Sequence, residues 1–140
     1  MSVNAVLEKA ILFVDDELLI LLSMSMQCKR YFGDEIRYLT AQNPREALEI
    51  LNELEEEKDT ELIGVVSDWS MPGMNGGEFL KLVHQKFPKI PKIILSGQAE
   101  ESSVRDLEKE ISHFTFVKKP WDELQIVEII KGAIDQKDQT

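Results

Sequence analysis

Side chains able to take part in phosphoryl chemistry stand directly after four short apolar runs of this sequence. They comprise three carboxylates, a hydroxyl and an ammonium: Asp15, Asp16, Asp68, Ser96 and Lys119. Carboxylate oxygens suit Mg²⁺, which commonly bridges protein carboxylates to a phosphoryl group. A carboxylate can also attack phosphorus, while a hydroxyl and an ammonium can bind phosphoryl oxygens. If the fold brings these residues together, they predict a metal-assisted phosphoryl site.

Each of these residues has an ordinary structural explanation when it is taken alone. An aspartate after a strand most often caps a helix or forms a turn, and a lysine before a proline, as at Lys119, is usually solvated. Converging carboxylates would also repel each other, by about 4 kcal/mol for one pair at 4 Å and an effective dielectric of 20. The functional interpretation therefore requires a fold that gathers all of these residues around a cation.

The apolar pattern predicts where these residues meet. Five short apolar runs alternate with five amphipathic segments, and the runs cover residues 10–14, 36–39, 62–66, 93–95 and 114–117. Short runs rich in Ile and Val are typical of strands buried on both faces of a parallel sheet. The alternation predicts an α/β fold, with an open, doubly wound parallel sheet between two layers of helices. Ligands bind at the carboxyl edge of such a sheet, where the chemical residues are expected.

The segments between the runs carry the spacing of amphipathic helices. The residues expected to face the sheet are Ala47, Ile50, Leu51 and Leu54, then Gly76, Phe79, Leu80 and Val83, and then Val104, Leu107 and Ile111. Asn43, Pro44 and Glu46 predict the start of the second helix. The first and fifth helices, expected over residues 18–26 and 124–134, are more apolar than one buried stripe requires. The additional apolar surface of these two helices indicates a docking site for another protein or the interface of a homodimer.

Four motifs resemble those of response-regulator receiver domains. They are Val14-Asp15-Asp16-Glu17, Asp68-Trp69-Ser70-Met71-Pro72-Gly73-Met74-Asn75-Gly76, Ser96-Gly97 and Lys119-Pro120. Their order and their positions after strands agree with the family from about residue 10 to residue 134. The resemblance implies a single receiver domain over residues 1–140. It also implies a flavodoxin-like fold, in which five strands in the order 2-1-3-4-5 are covered by five helices.

The resemblance further implies a role for each residue of the site. Asp68 would accept the phosphoryl group, and Lys119 would pair first with Asp68 and then with the phosphate. Mg²⁺ would be held by Asp15, Asp16, Asp68 and the backbone carbonyl of Ser70. Ser96 would bind the phosphoryl oxygens after transfer. Phe116 would be the switch aromatic, whose rotamer follows the movement of Ser96.

The resemblance implies a signalling switch rather than an enzyme. The phosphoryl donor would be a sensor histidine kinase or a phosphotransfer protein, and the response would be read by a downstream protein or a fused output domain. A net charge of -10, from 26 acidic and 16 basic residues, disfavours direct binding to nucleic acid or to an anionic membrane. No apolar run approaches the roughly 18 residues of a membrane span, so a cytoplasmic location is expected.

Two other functions stay open at the level of sequence. One is a receiver-fold interaction module that works without phosphorylation, although the presence of Asp16, Asp68 and Lys119 argues against it. The other is a Mg²⁺-dependent phosphohydrolase that forms an aspartyl phosphate. Enzymes of the haloacid dehalogenase type place Asp-x-Asp after the first strand, whereas Asp15 and Asp16 are adjacent here.

Overall fold

The chain folds as five successive pairs of one strand and one helix. The computed structural model describes residues 7–97, 101–120 and 122–139. The elements are β1 (Glu8–Val14), α1 (Leu18–Phe32), β2 (Ile36–Ala41), α2 (Pro44–Glu56), β3 (Thr60–Asp68), α3 (Gly76–Lys86), β4 (Lys92–Ser96), α4 (Glu101–Glu108), β5 (Phe114–Lys118) and α5 (Glu123–Gln139). Paired strands are parallel, in the order β2-β1-β3-β4-β5. The predicted doubly wound, flavodoxin-like sheet with five helices is confirmed.

Different helices cover the two faces of the sheet, because successive strand residues point in opposite directions. On β1, Ile11 and Phe13 belong to the hydrophobic core under α1 and α5, whereas Leu12 and Val14 belong to the core under α2, α3 and α4. The helix residues of the first core are Leu21, Met24, Cys28, Ile126, Val127 and Ile130. Those of the second core include Ala47, Leu51, Leu54, Phe79, Leu80, Val83, Val104 and Leu107. The helical stripes predicted from the sequence thus form the second core.

Asparagine caps fix the starts of α2 and α3. The Asn43 side chain accepts a hydrogen bond from the backbone N–H of Glu46 at 2.9 Å, and Pro44 is the first residue of α2. This confirms the predicted start of α2. In the same way, Asn75 accepts from the N–H of Glu78 at 2.8 Å. Because α3 follows the loop after Asp68, its cap also anchors one end of that loop.

Three helices have bounds that differ from the predictions. The fifth helix runs from Glu123 to Gln139 rather than over residues 124–134. The first helix continues to Phe32, because it stops only where Gly33 adopts a φ of 84° and donates its N–H to the carbonyl of Lys29. The fourth helix ends at Glu108, so the prediction that Ile111 continues its period was wrong. Ile111 is nevertheless buried, because the turn after α4 folds it back and its N–H donates to the carbonyl of Leu107.

Candidate functional site

Three carboxylates converge at the carboxyl edge of the sheet. Asp15 and Asp16 follow β1, and Asp68 is the last residue of β3, the neighbouring strand. Each of the three offers one oxygen, and these oxygens lie within 4.8 Å of one another. Asp15 and Asp68 are buried, whereas Asp16 is exposed. The predicted acidic cluster therefore exists, with one side open to solvent.

The pKa of Asp15 is shifted from its ordinary value. Its pKa is raised to about 6, chiefly because the carboxyl group is buried. A hydrogen bond from the backbone N–H of Glu17 at 2.9 Å opposes the rise, and the negative charge of Asp68 contributes to it. A carboxylate in these surroundings is stabilised by a nearby cation. Three converging carboxylate oxygens match the hard ligands that Mg²⁺ requires. The residues present therefore fit a divalent metal ion.

Lys119 connects this cluster to the neighbouring strands. Its Nζ atom lies 2.6 Å from Oδ1 of Asp68, and its backbone N–H donates to the carbonyl of Ser96 at 2.8 Å. A cis peptide bond joins Lys119 to Pro120. The Asp68 carboxylate is almost completely buried, and a charged hydrogen bond to a buried group is strong. The ammonium is thus held against the carboxylate that the sequence singled out as the nucleophile.

Ser96 and Phe116 lie on adjacent strands beside the carboxylates. Ser96 is buried at the end of β4, and its hydroxyl donates to the carbonyl of Gly97 at 3.4 Å. Phe116 pairs in register with Ile94, two residues before Ser96 on β4. Its ring is half-buried and packs against the core beneath α2, α3 and α4. The fold therefore brings the hydroxyl to the site edge and the aromatic ring to the strand next to it.

Ser70 lies in the loop between Asp68 and α3. It is exposed, and it lines a surface depression of about 430 Å³ together with Asp16 and Asn75. Ser70 thus borders the open side of the carboxylate cluster.

A family comparison agrees with this geometry. Residues 11–131 match the family described as the response regulator receiver domain. The chain belongs to this family. It is therefore a receiver domain of two-component systems, and receiver domains are generally signalling switches rather than enzymes in the usual sense. They bind Mg²⁺ at an acidic pocket, to which the cluster of Asp15, Asp16 and Asp68 corresponds here.

Solved receiver structures share the fold over nearly the whole chain. A response regulator receiver domain protein from Clostridium thermocellum has a TM-score of 0.80 at 27% identity, covering 94% of this chain and 98% of that one. A CheY-like receiver domain protein from Methanospirillum hungatei has a TM-score of 0.74 at 27% identity, with coverages of 94% and 97%.

Curated relatives are much longer than this receiver domain. The hydrogenase transcriptional regulatory protein HoxA of Cupriavidus necator is 27% identical over 129 residues, which are 91% of this chain and 24% of that protein. The sensor kinase CckA of Brucella abortus is 37% identical over 93 residues, which are 66% of this chain and 9% of that protein. The chain thus spans a quarter or less of these relatives.

Gly76 has a role in the receiver site that its place in a helical period did not indicate. Its N–H donates to the carbonyl of Trp69 at 2.7 Å, so the first turn of α3 lies directly on the backbone that follows the acceptor candidate. A Cβ atom at this position would collide with the backbone carbonyl of Asp68 and come within 2.9 Å of the Trp69 Cα. Because Gly76 has no side chain, α3 can approach the backbone of Asp68 and Trp69 this closely. The sequence pattern alone does not give the distance between these backbone segments.

A pocket beside the carboxylates of the receiver domain was also not predicted from the sequence. It has a volume of about 430 Å³ and lies between α1 and the segment after β5. Its lining residues are Asp15, Glu17, Ile20, Ser23, Met24, Gln27, Lys119 and Pro120. The sequence signal was indirect, because the surplus apolar residues of the first helix indicated only that α1 has an unused surface.

No described helix has the length and apolar character needed to cross a membrane.

Proposed function

We propose that this receiver domain accepts a phosphoryl group on Asp68 from a phosphohistidine of a sensor histidine kinase or phosphotransfer protein. The observation that carries the proposal is the position of Asp68, a buried carboxylate 2.6 Å from the ammonium of Lys119 and within 4.8 Å of two further carboxylates. The Asp68 oxygen attacks phosphorus, and the bond between phosphorus and the donor nitrogen breaks. The electron pair of that bond returns to the imidazole.

The remaining residues stabilise charge as the phosphoryl group moves. Lys119 offsets the negative charge around Asp68 and then pairs with the phosphoryl oxygens. Asp15, Asp16, Asp68 and the backbone carbonyl of Ser70 would hold Mg²⁺, which supplies positive charge to the transferring group. Burial and the negative charges of Asp68 and Asp16 all raise the pKa of Asp15. A cation bound at this site would offset these effects and stabilise the charged carboxylates.

The response to phosphorylation is proposed to begin at Ser96. A phosphoryl group adds about -1.5 to -2 charge at neutral pH and requires new hydrogen-bond donors. The Ser96 hydroxyl, which donates to Gly97 at 3.4 Å, is free to turn to a stronger acceptor. The carbonyl of Ser96 accepts from the N–H of Lys119, so movement at either residue affects the other. Phe116 then repacks on β5 and changes the surface presented to a downstream protein or a fused output domain.

This proposal assigns the whole of residues 1–140 to a single receiver unit, whose core spans about residues 10–134. Its output belongs to a partner or to another part of a longer protein. The lengths of the curated relatives support this division, since the matched region covers only 24% of the hydrogenase regulator and 9% of the sensor kinase.

Intact mass measurement tests the acceptor directly. The native chain, Asp68→Asn and Ser96→Ala are each incubated with a small phosphodonor and Mg²⁺, and their masses are compared with samples that contain a chelator. We expect the native chain and Ser96→Ala to gain one phosphoryl group, because the hydroxyl is not the acceptor. Asp68→Asn should gain none. A phosphoryl adduct that persists in Asp68→Asn would contradict the assignment.

A further inference from the structure

A buried hydroxyl lies directly before the proposed acceptor. Ser67 is fully buried on β3, and its side chain lies on the same face of the strand as Val65, a residue of the core under α2, α3 and α4. A buried hydroxyl costs free energy unless it forms a hydrogen bond. The Ser67 hydroxyl donates to the backbone carbonyl of Asp68 at 3.0 Å. This hydrogen bond connects a side chain of the core to the backbone of the acceptor.

The Ser67 side chain also contacts the chain beyond the acceptor. Its Oγ atom lies 4.0 Å from the Sδ atom of Met71, which packs against the same core. Only Trp69 and Ser70 stand between Asp68 and Met71 in the sequence. Ser67 therefore contacts both ends of the short segment that carries the Ser70 carbonyl, a backbone group that would hold Mg²⁺.

Other contacts of this segment do not involve Ser67. The N–H of Trp69 donates to the carbonyl of Leu95 at 2.9 Å, and the carbonyl of Trp69 accepts from the N–H of Gly76 at 2.7 Å. The ammonium of Lys119 holds the acceptor carboxylate at 2.6 Å. Removal of the Ser67 hydroxyl should therefore loosen the segment at its ends while the carboxylate itself stays in place.

We propose that Ser67 is a positioning residue for the metal site, and that its hydroxyl increases the affinity of the chain for Mg²⁺. This inference rests on the proposed function, in which the Ser70 carbonyl is one of the metal ligands. Mg²⁺ requires nearly ideal octahedral geometry. Groups that hold metal ligands in place therefore affect the affinity for the ion, although they do not touch it. Because Lys119 still holds the acceptor carboxylate, loss of the Ser67 hydroxyl should weaken metal binding more than it slows phosphoryl transfer at saturating Mg²⁺.

An NMR titration of the unphosphorylated chain with Mg²⁺ tests this proposal, because the shifts of the backbone amide signals give the Kd. We expect Ser67→Ala to bind Mg²⁺ about tenfold more weakly than the native chain. Ser67→Thr keeps the hydroxyl and should bind more tightly than Ser67→Ala. Ser67→Cys keeps the shape of the side chain but has only a weak donor, so it should resemble Ser67→Ala. Ser25→Ala removes a serine hydrogen bond to the Leu22 carbonyl on α1, outside the site, and should keep the native Kd.

Intact mass measurements of phosphorylation at low and at saturating Mg²⁺ complete the experiment. Ser67→Ala should be slow at low Mg²⁺ and approach the native rate at saturating Mg²⁺, whereas a purely structural role would lower its stability and leave the Kd unchanged. A native chain with neither a Mg²⁺ Kd nor a phosphoryl adduct would overturn the proposed function together with this inference. If the native chain shows both, a native Kd in Ser67→Ala or in Ser67→Cys overturns the inference alone.

Discussion

At the scale of single residues, Lys92 shows how the fold accommodates a charge away from the carboxylate cluster of Asp15, Asp16 and Asp68. Its side chain is fully buried at the start of β4, the strand that ends in Ser96. Its Nζ atom donates to the carbonyls of Pro88 at 3.1 Å, Ile90 at 2.9 Å and Ser112 at 3.1 Å. The ammonium therefore ties the segments before β4 and β5 to each other. These bonds offset much of the cost of burying the charge.

Lys92 should give the stability of the protein a characteristic dependence on pH. Burial lowers its pKa from 10.5 to about 8 in the folded chain. Between pH 8 and 10.5 the folded chain has released this proton while the unfolded chain still holds it. The free energy of unfolding consequently rises with pH in this window, by up to about 3 kcal/mol. Urea unfolding gives the free energy of unfolding of the native chain and of Lys92→Met at several pH values. The difference between the two proteins isolates the contribution of Lys92, because the contributions of the other titrating groups are the same in both and cancel.

Lys89→Met provides the matched control, because Lys89 is an exposed lysine three residues away. Its difference from the native chain should be nearly independent of pH across the same window. The interpretation fails if Lys92→Met gives an equally flat difference.

Some of the polar residues discussed above could be predicted from their place in the sequence, and others are defined only by distances in the folded chain. The carboxylates, Ser96 and Lys119 could be predicted, because each follows a recognisable apolar run and parallel strands end at one edge. Lys92 could not be predicted. A lysine at the start of an apolar run looks like a solvated strand end, and only tertiary packing brings three carbonyls to its ammonium.

At the scale of elements, apolar patterns located every strand and helix but not every boundary. The strand β3 extends from Thr60 to Asp68, beyond the predicted 62–66, because its polar ends pair with β1 and β4 through the backbone. Similarly, α1 continues past its apolar residues until Gly33 ends it. Backbone hydrogen bonds set these limits, and they depend on neighbouring elements that the local pattern does not contain.

The contact between α3 and β3 can be tested with a methyl group. Gly76→Ala forces backbone to move, because the new Cβ meets the Asp68 carbonyl and the Trp69 Cα rather than flexible side-chain ends alone. We expect the free energy of unfolding to fall by about 1–3 kcal/mol, as for other overpacked sites. Phosphorylation of Asp68 should also slow, since the loop that borders the site is displaced. Urea unfolding followed by circular dichroism measures the first effect.

Gly132→Ala is the matched control for this substitution. Gly132 is an exposed residue of α5, and a Cβ built there has no neighbour within 4 Å. Alanine has a higher helix propensity than glycine, so this variant should be more stable by up to about 1 kcal/mol. Two substitutions of the same kind are thus expected to change stability in opposite directions. Equal changes in the free energy of unfolding for the two variants would show that the close approach of α3 to β3 leaves room for a methyl group at Gly76.

At the scale of the whole molecule, the net charge of -10 and the acidic cluster make two different contributions to stability. Any salt screens the repulsion among the acidic residues. A specific ion acts only through the site at which Asp15, Asp16 and Asp68 meet. The two contributions can be separated by comparing Mg²⁺ with NaCl at the same ionic strength. Both salts screen the repulsion, whereas only Mg²⁺ is expected to bind at the cluster.

Mg²⁺ should therefore stabilise the native chain beyond what NaCl achieves. A ligand that binds only the folded state contributes about 2.7 kcal/mol when its concentration is a hundred times its Kd. Asp16→Asn should lose this excess and keep the response to NaCl, because Asp16 is the exposed carboxylate of the cluster. Asp59→Asn, the same change at an exposed position outside the cluster, should keep both. Thermal unfolding of the three proteins in each salt, with a chelator added to reverse the effect, makes the measurement. If Asp16→Asn gains as much from Mg²⁺ as the native chain, the ion acts by screening, and the cluster is not its binding site.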